Sequence, residues 1–160
     1  MNNKTIVFGI ATLLWSATFS PLNAATIDLP LYGFQIDVLD SAPGASTSIA
    51  LQMFLPVSDG FAPNINVQIQ PYPDTMKDYI ALSKGQFDQL NWKMVTDSQP
   101  GDDEWTVEYT GQAQGLDLHF YARAISQSGK IYLVTASAKE SQWATLSDTL
   151  RKHVDSFKMD

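Results

Sequence analysis

The feature that most limits how this chain can fold is a change of period. Residues 64–70 read Asn-Ile-Asn-Val-Gln-Ile-Gln. Apolar and amide side chains alternate without a break. Ile65, Val67 and Ile69 therefore fall on one side of an extended chain, and the amides on the other. After Pro71-Tyr72-Pro73 the period lengthens, and Met76, Tyr79, Ile80, Ser83, Phe87 and Leu90 recur at three and four. That spacing predicts an amphipathic helix over residues 75–90, with Asp74 as its N-cap. Gly85 inside it costs about 1 kcal/mol against Ala, which points to close packing or a weak point.

The two periods recur along the chain. Residues 26–30 form a short leading segment. Phe34, Ile36 and Val38 alternate with Gln35 and Asp37, and Ser41-Ala42-Pro43-Gly44 makes a turn. Ile49, Leu51, Met53 and Leu55 then share one face. Residues 56–63, with two Pro and a Gly, read as a loop. Beyond the helix, strands are predicted at 92–96, 104–110, 116–126 and 130–138, with turns at 98–103, at 111–115 and at Ser128-Gly129. Trp143, Leu146, Leu150, Val154 and Phe157 lie on one stripe of a closing helix. Consecutive strands with short connections make an antiparallel sheet. Tyr121 and Ile125 stand opposite Phe120 on one strand, so both faces of that sheet are covered. The fold class is α+β, an antiparallel sheet of about six or seven strands flanked by helices. Met53, Met76 and Met94 fall on or beside apolar stripes and are expected in the core.

The first residues carry an address. Lys4 precedes an apolar run over residues 6–15, and Asn23-Ala24-Ala25 follows Pro21. This is the pattern of a secretory signal, residues 1–24, leaving a single domain over 25–160. The run is about ten residues, half of what a membrane crossing needs. Cleavage removes Lys4 and no acid, so the charge goes from -7 on the whole chain to -8 on the remainder. Such a charge argues against nucleic acid and anionic membrane as partners. The chain has no Cys. That excludes disulfides, thiolate metal sites, a Cys nucleophile and the lipidated Cys of a bacterial lipoprotein. A soluble periplasmic or secreted protein is expected, with no stable membrane insertion.

Tyr32-Gly33-Phe34 ahead of the first sure strand, strand 64–70 leading into a helix with Tyr79, the hairpin of 118–126 and 130–138, and a last helix ending in Ser156-Phe157 form one pattern. The pattern resembles the PsbP/Mog-type fold, including the exported DcrB-like bacterial proteins. The resemblance implies an α/β/α sandwich and a role in binding or assembly. Members include photosystem subunits, a Ran-binding protein, secretion-system adaptors and envelope proteins needed for phage entry. It carries over no catalytic motif, and the lipidated Cys of the DcrB pattern is missing here.

Chemistry-bearing residues are few. The two His are His119 and His153, and no Gly-x-Ser-x-Gly elbow occurs. His153 follows Arg151-Lys152 near a helix C-terminus, where cations are favourable. His119 shares a strand face with Arg123, and Glu108 stands on the preceding strand. Glu108, His119 and Arg123 are a candidate cluster for an anionic ligand or partner, against an ordinary cross-strand charge pair. Asp102-Asp103-Glu104 lacks the spaced ligands of a calcium loop and reads as an exposed turn. Phe61, between Gly60 and Ala62-Pro63, is a candidate partner contact or a staple folded back on the core. No catalytic residue, metal ligand or cofactor site is assigned. The expectation is a non-enzymatic exported domain that binds a protein partner in the bacterial cell envelope. The alternative is a small-ligand carrier with an aromatic-lined pocket between sheet and helix.

Overall fold

In a computed structural model of the chain, residues 26–29, 33–37 and 48–159 are described. The export signal of residues 1–24 and the turn at residues 41–44 lie outside them. The chain divides into two units after Asp40. In the first, β1 (Thr26–Leu29) and β2 (Phe34–Asp37) pair antiparallel, with Leu29 opposite Phe34.

The second unit holds six strands and two helices. They are β3 (Ser48–Phe54), β4 (Asn64–Pro71), α1 (Met76–Gln89), β5 (Lys93–Gly101), β6 (Glu104–Ala113), β7 (Leu116–Gln127), β8 (Lys130–Lys139) and α2 (Glu140–Asp155). The strands form one antiparallel sheet in the order β3-β4-β8-β7-β6-β5. This is the antiparallel α+β sheet flanked by helices that the alternating periods predict, in the sandwich arrangement that the resemblance implies. α1 carries the chain from β4 to the far edge at β5, and α2 returns from β8 across the opposite face. Alternate residues of one strand therefore serve different layers. Val107 and Tyr109 pack with Met76 and Tyr79 of α1. Val134, Ala136 and Ala138 pack with Trp143, Leu150 and Val154 of α2. Ala136 and Ala138 are fully buried, and their small side chains let the helix approach the sheet.

Local chemistry sets the boundaries. α1 is capped by Thr75, not Asp74. The Thr75 hydroxyl accepts the Asp78 N–H at 3.2 Å, and the Asp78 carboxylate accepts the Thr75 N–H at 3.3 Å, a reciprocal capping box. The helix ends where Asn91 turns left-handed at φ 54. β6 runs through Gly111 to Ala113, because the reversal sits at Gln114-Gly115, both left-handed like Ser128-Gly129 in the next hairpin. Gly111 stays in the strand for a packing reason. A Cβ there would collide with Cδ1 of Trp92, whose indole lies against the bare backbone. β5 likewise continues through Ser98 to Gly101 with register shifts, leaving Asp102-Asp103 as the turn.

Two core expectations fail at the sheet edges. Met76 is buried, but Met53 and Met94 are 44% and 43% exposed. Both obey the strand period, yet they stand on the edge strands β3 and β5, where period alone does not say whether a layer covers them. Gly85 faces open space, with nothing within 4 Å of where a Cβ would stand, so the weak-point reading holds and the close-packing one does not.

Candidate functional site

The sequence candidates Glu108, His119, Arg123 and Phe61 divide among three places. Glu108 on β6 and His119 on β7 are only 5% and 6% exposed, on the sheet face beneath α2. One oxygen of Glu108, Oε1, accepts three hydrogen bonds: from Nε2 of His119 at 2.8 Å, from Nε1 of Trp143 at 3.0 Å and from Arg151 at 2.5 Å. The other ring nitrogen of His119 faces Glu140 at 2.8 Å. The imidazole thus bridges two carboxylates, one at each ring nitrogen. Its ring lies flat on the Trp143 indole, centroids 4.1 Å apart. The Arg151 guanidinium stands 5.5 Å from the Tyr121 ring centre and 5.9 Å from that of Trp143. Burial is the largest influence on Glu108 and pushes its pKa up. Hydrogen bonds from Arg151 and His119, the charge of Arg151 and the Trp143 indole together outweigh it, and the carboxyl ends below its ordinary value.

Arg123 is not in this cluster. Its Nε donates to Glu104 at 2.6 Å, and it donates to the carbonyls of Asp155 and Phe157 at 3.3 and 2.8 Å. It clamps the end of α2 to β6. The nearer cation for Glu108 is Arg151, and the sequence holds one hint of it. Arg151 lies eight residues after Trp143, about two turns, so both project to the same side of α2. Phe61 is half-buried against the α1 core. Its loop is held by Gln142, which donates to Ser58 at 2.7 and 2.9 Å, and by Lys139, which donates to the Asp59 carbonyl at 2.6 Å. His153 is exposed and bonds the Thr149 carbonyl at 2.7 Å.

The opposite face of the sheet carries a cleft of about 370 Å³ under α1. Tyr79, Phe87, Trp92, Trp105 and Tyr109 line it. Tyr109 stacks on Phe87 at 4.4 Å and on Trp92 at 5.5 Å, and Phe87 meets Trp92 at a tilt, 6.0 Å between centroids. Val107, Ala122 and Leu133 also line it, on the central strands, with Gln68 and Gln70 on β4 and Gln86 on α1. Burial raises the phenol pKa of both Tyr79 and Tyr109.

A third feature is an open edge. β3 pairs with β4 and, among the described residues, with nothing on its other side. Ile49, Leu51, Met53 and Phe54 are 43–62% exposed along it.

The family model for PsbP matches residues 64–159, more than half of the chain and all of it from β4 onward. The chain belongs to the PsbP family. Solved structures carry the same fold at low identity. A Pseudomonas aeruginosa protein of unknown function, PA94, aligns with a TM-score of 0.66 at 12% identity, over 86% of this chain and 97% of its own. Cyanobacterial PsbP (CyanoP) from Synechocystis sp. PCC 6803 aligns with a TM-score of 0.53 at 16% identity, over 92% and 99%. No curated protein matches by sequence. In this PsbP-family chain the helices that sandwich the sheet each hide a different polar or aromatic arrangement, and among the described residues β3 pairs on one side only. Among the described residues no helix is long and apolar enough to cross a membrane.

Proposed function

We propose that this chain is an exported, non-catalytic domain that binds a protein partner in the bacterial cell envelope, and that the partner pairs with β3. The observation that carries the reading is the contrast between the two sheet edges. β5 bears Lys93, Asp97 and Pro100, and two register shifts against the one of β3 at Ile49 and Leu51; charge, Pro and bulges are devices by which proteins keep an edge from pairing. β3 reads Ser-Ile-Ala-Leu-Gln-Met-Phe, with no charge and no Pro, and its large apolar side chains face solvent. An open edge of that kind invites an added strand, whose backbone supplies hydrogen bonds and whose side chains meet the apolar row. The non-catalytic part of the reading draws on His119, whose two nitrogens are both engaged by carboxylates and so present no free base. Export draws on the signal pattern of residues 1–24.

A photocrosslinking amino acid at Gln52, in cells that make the protein, tests it. A discrete adduct with a second protein is expected at Gln52 and not at Thr96 on β5. Leu51→Lys with Met53→Lys should abolish it. Absence of an adduct at Gln52, or equal adducts at both edges, would overturn the reading. The mass of the chain recovered from the periplasmic fraction tests export, with residues 1–24 expected to be gone.

A further inference from the structure

We infer that the cleft under α1 is a binding site for a small uncharged molecule with a flat apolar body and one carbonyl- or amide-type polar end. The inference is independent of β3, which lies at the edge of the sheet and does not line the cleft.

Size comes first. A cleft of about 370 Å³ falls within the roughly 300–1,000 Å³ of small-molecule sites. Charge comes second. The lining includes no Asp, Glu, Lys, Arg or His, although the chain has 27 Lys, Arg, Asp and Glu residues to draw on. An ionised ligand would lose its hydration there and find no opposite charge to replace it. Shape comes third. The walls are the rings of Tyr79, Phe87, Trp92, Trp105 and Tyr109, which suit a flat partner at van der Waals distance.

Polarity decides the orientation. Val107, Ala122 and Leu133 offer no hydrogen-bonding side chain, so the body of the ligand against them is apolar. Two of the three lining amides stand side by side on β4, where the Gln70 amide donates to Oε1 of Gln68 at 3.4 Å and to the Tyr79 hydroxyl oxygen. Both bonds use the Gln70 amide N–H groups, which leaves the Gln68 amide N–H groups and the Gln70 side-chain oxygen available, one kind of donor and one kind of acceptor side by side. A ligand carbonyl or amide pairs with them. A sugar's hydroxyls set against Val107, Ala122 and Leu133 would find no side-chain partner there, which favours a ligand with an apolar body.

Prodan, a neutral naphthalene ketone, is the probe, with anionic anilinonaphthalene sulfonate and neutral maltose as comparisons. Saturable one-to-one binding of Prodan with blue-shifted emission is expected, at a Kd of about 10 μM. Ala122→Leu should abolish it by filling the cleft. Gln68→Leu with Gln70→Leu, on a half-buried strand face that tolerates the change, should weaken it about tenfold. Leu51→Lys with Met53→Lys should leave it unchanged, which separates this site from partner binding at β3. Circular dichroism of each variant reports folding, and if Ala122→Leu does not fold, the double Gln variant decides. The inference is overturned if Prodan shows no saturable binding, if the folded cleft variants bind it like the wild type, if the sulfonate binds as tightly, or if maltose displaces it.

Discussion

At the scale of single residues, Glu108 bears the most consequence. Three donors from three other residues converge on one buried oxygen. Removing the carboxylate strands a buried imidazole nitrogen and a buried indole N–H together. Glu108→Ala is expected to lower the unfolding free energy by about 3 kcal/mol, the low end of what breaking a buried ion pair costs. Arg123→Ala should cost about 1 kcal/mol, because its pair with Glu104 is partly open to solvent. Urea unfolding of both variants checks the ranking, and equal losses would contradict it. Part of this cluster was legible in advance. Glu108 and His119 stand on neighbouring strands of a predicted hairpin, and the pleat puts them on one face. Arg151 was legible only as a neighbour of Trp143 on one side of α2 and not as the partner of Glu108, since Coulomb attraction between residues 43 positions apart leaves no mark on local periodicity. Arg123 had the right face and the wrong partner. Its carboxylate is Glu104, set by the β6–β7 register that pairs Thr106 with Arg123.

At the scale of elements, α1 shows which local rules hold. Its amphipathic spacing, capping box and left-handed stop at Asn91 all follow from side chains within a few residues of each other. Gly85 is its one local flaw. The position is exposed with open space around it, so Gly85→Ala removes backbone entropy from the unfolded chain without a clash. A gain of about 1 kcal/mol is expected, a rise in Tm of about 4 °C. A fall in Tm would mean that the glycine is needed for a contact of the helix. The strand ends were harder to read than the helix. Gly111 looks like a turn residue, but the Trp92 indole resting on it keeps it within β6. The reversal belongs to Gln114-Gly115, where both residues adopt the left-handed conformation that a tight hairpin requires.

At the scale of the whole molecule, three carboxylates join separate layers, and each is held below its ordinary pKa. Lys84 of α1 holds Asp97 of β5, by its hydrogen bond first. Lys139 at the start of α2 holds Asp59 of the loop between β3 and β4, again by its hydrogen bond first. For Glu108 burial works in the opposite direction, and Arg151 with His119 and Trp143 overcomes it. In each case the unfolded chain takes up a proton at a higher pH than the folded one. The stabilisation is complete above the ordinary values of 3.8 for Asp and 4.5 for Glu, and is lost as pH falls through the lowered folded values. Urea midpoints should therefore be level from pH 7 to about 5 and decline below about 4. Glu108→Gln should start lower and decline less. A wild-type midpoint that stays level down to about pH 3 would show that these links contribute nothing to stability.

By itself the sequence determined the kind of each element and the class of the fold. Alternation and helical spacing are properties of neighbouring residues, and burying two such faces admits few architectures. Only the tertiary structure decided which apolar stripes are covered. Met76 and Met53 obey their periods equally well, yet Met76, on α1, is buried against the sheet, while Met53, on the edge strand β3 beside Thr149, Leu150 and His153 of α2, stays 44% exposed. It also decided the partner of Glu108 and the presence of a cleft under α1. Both depend on how far apart two layers stand, and that distance is set by side chains remote from one another in the chain, Ala136 and Ala138 beneath one helix and a layer of stacked rings beneath the other.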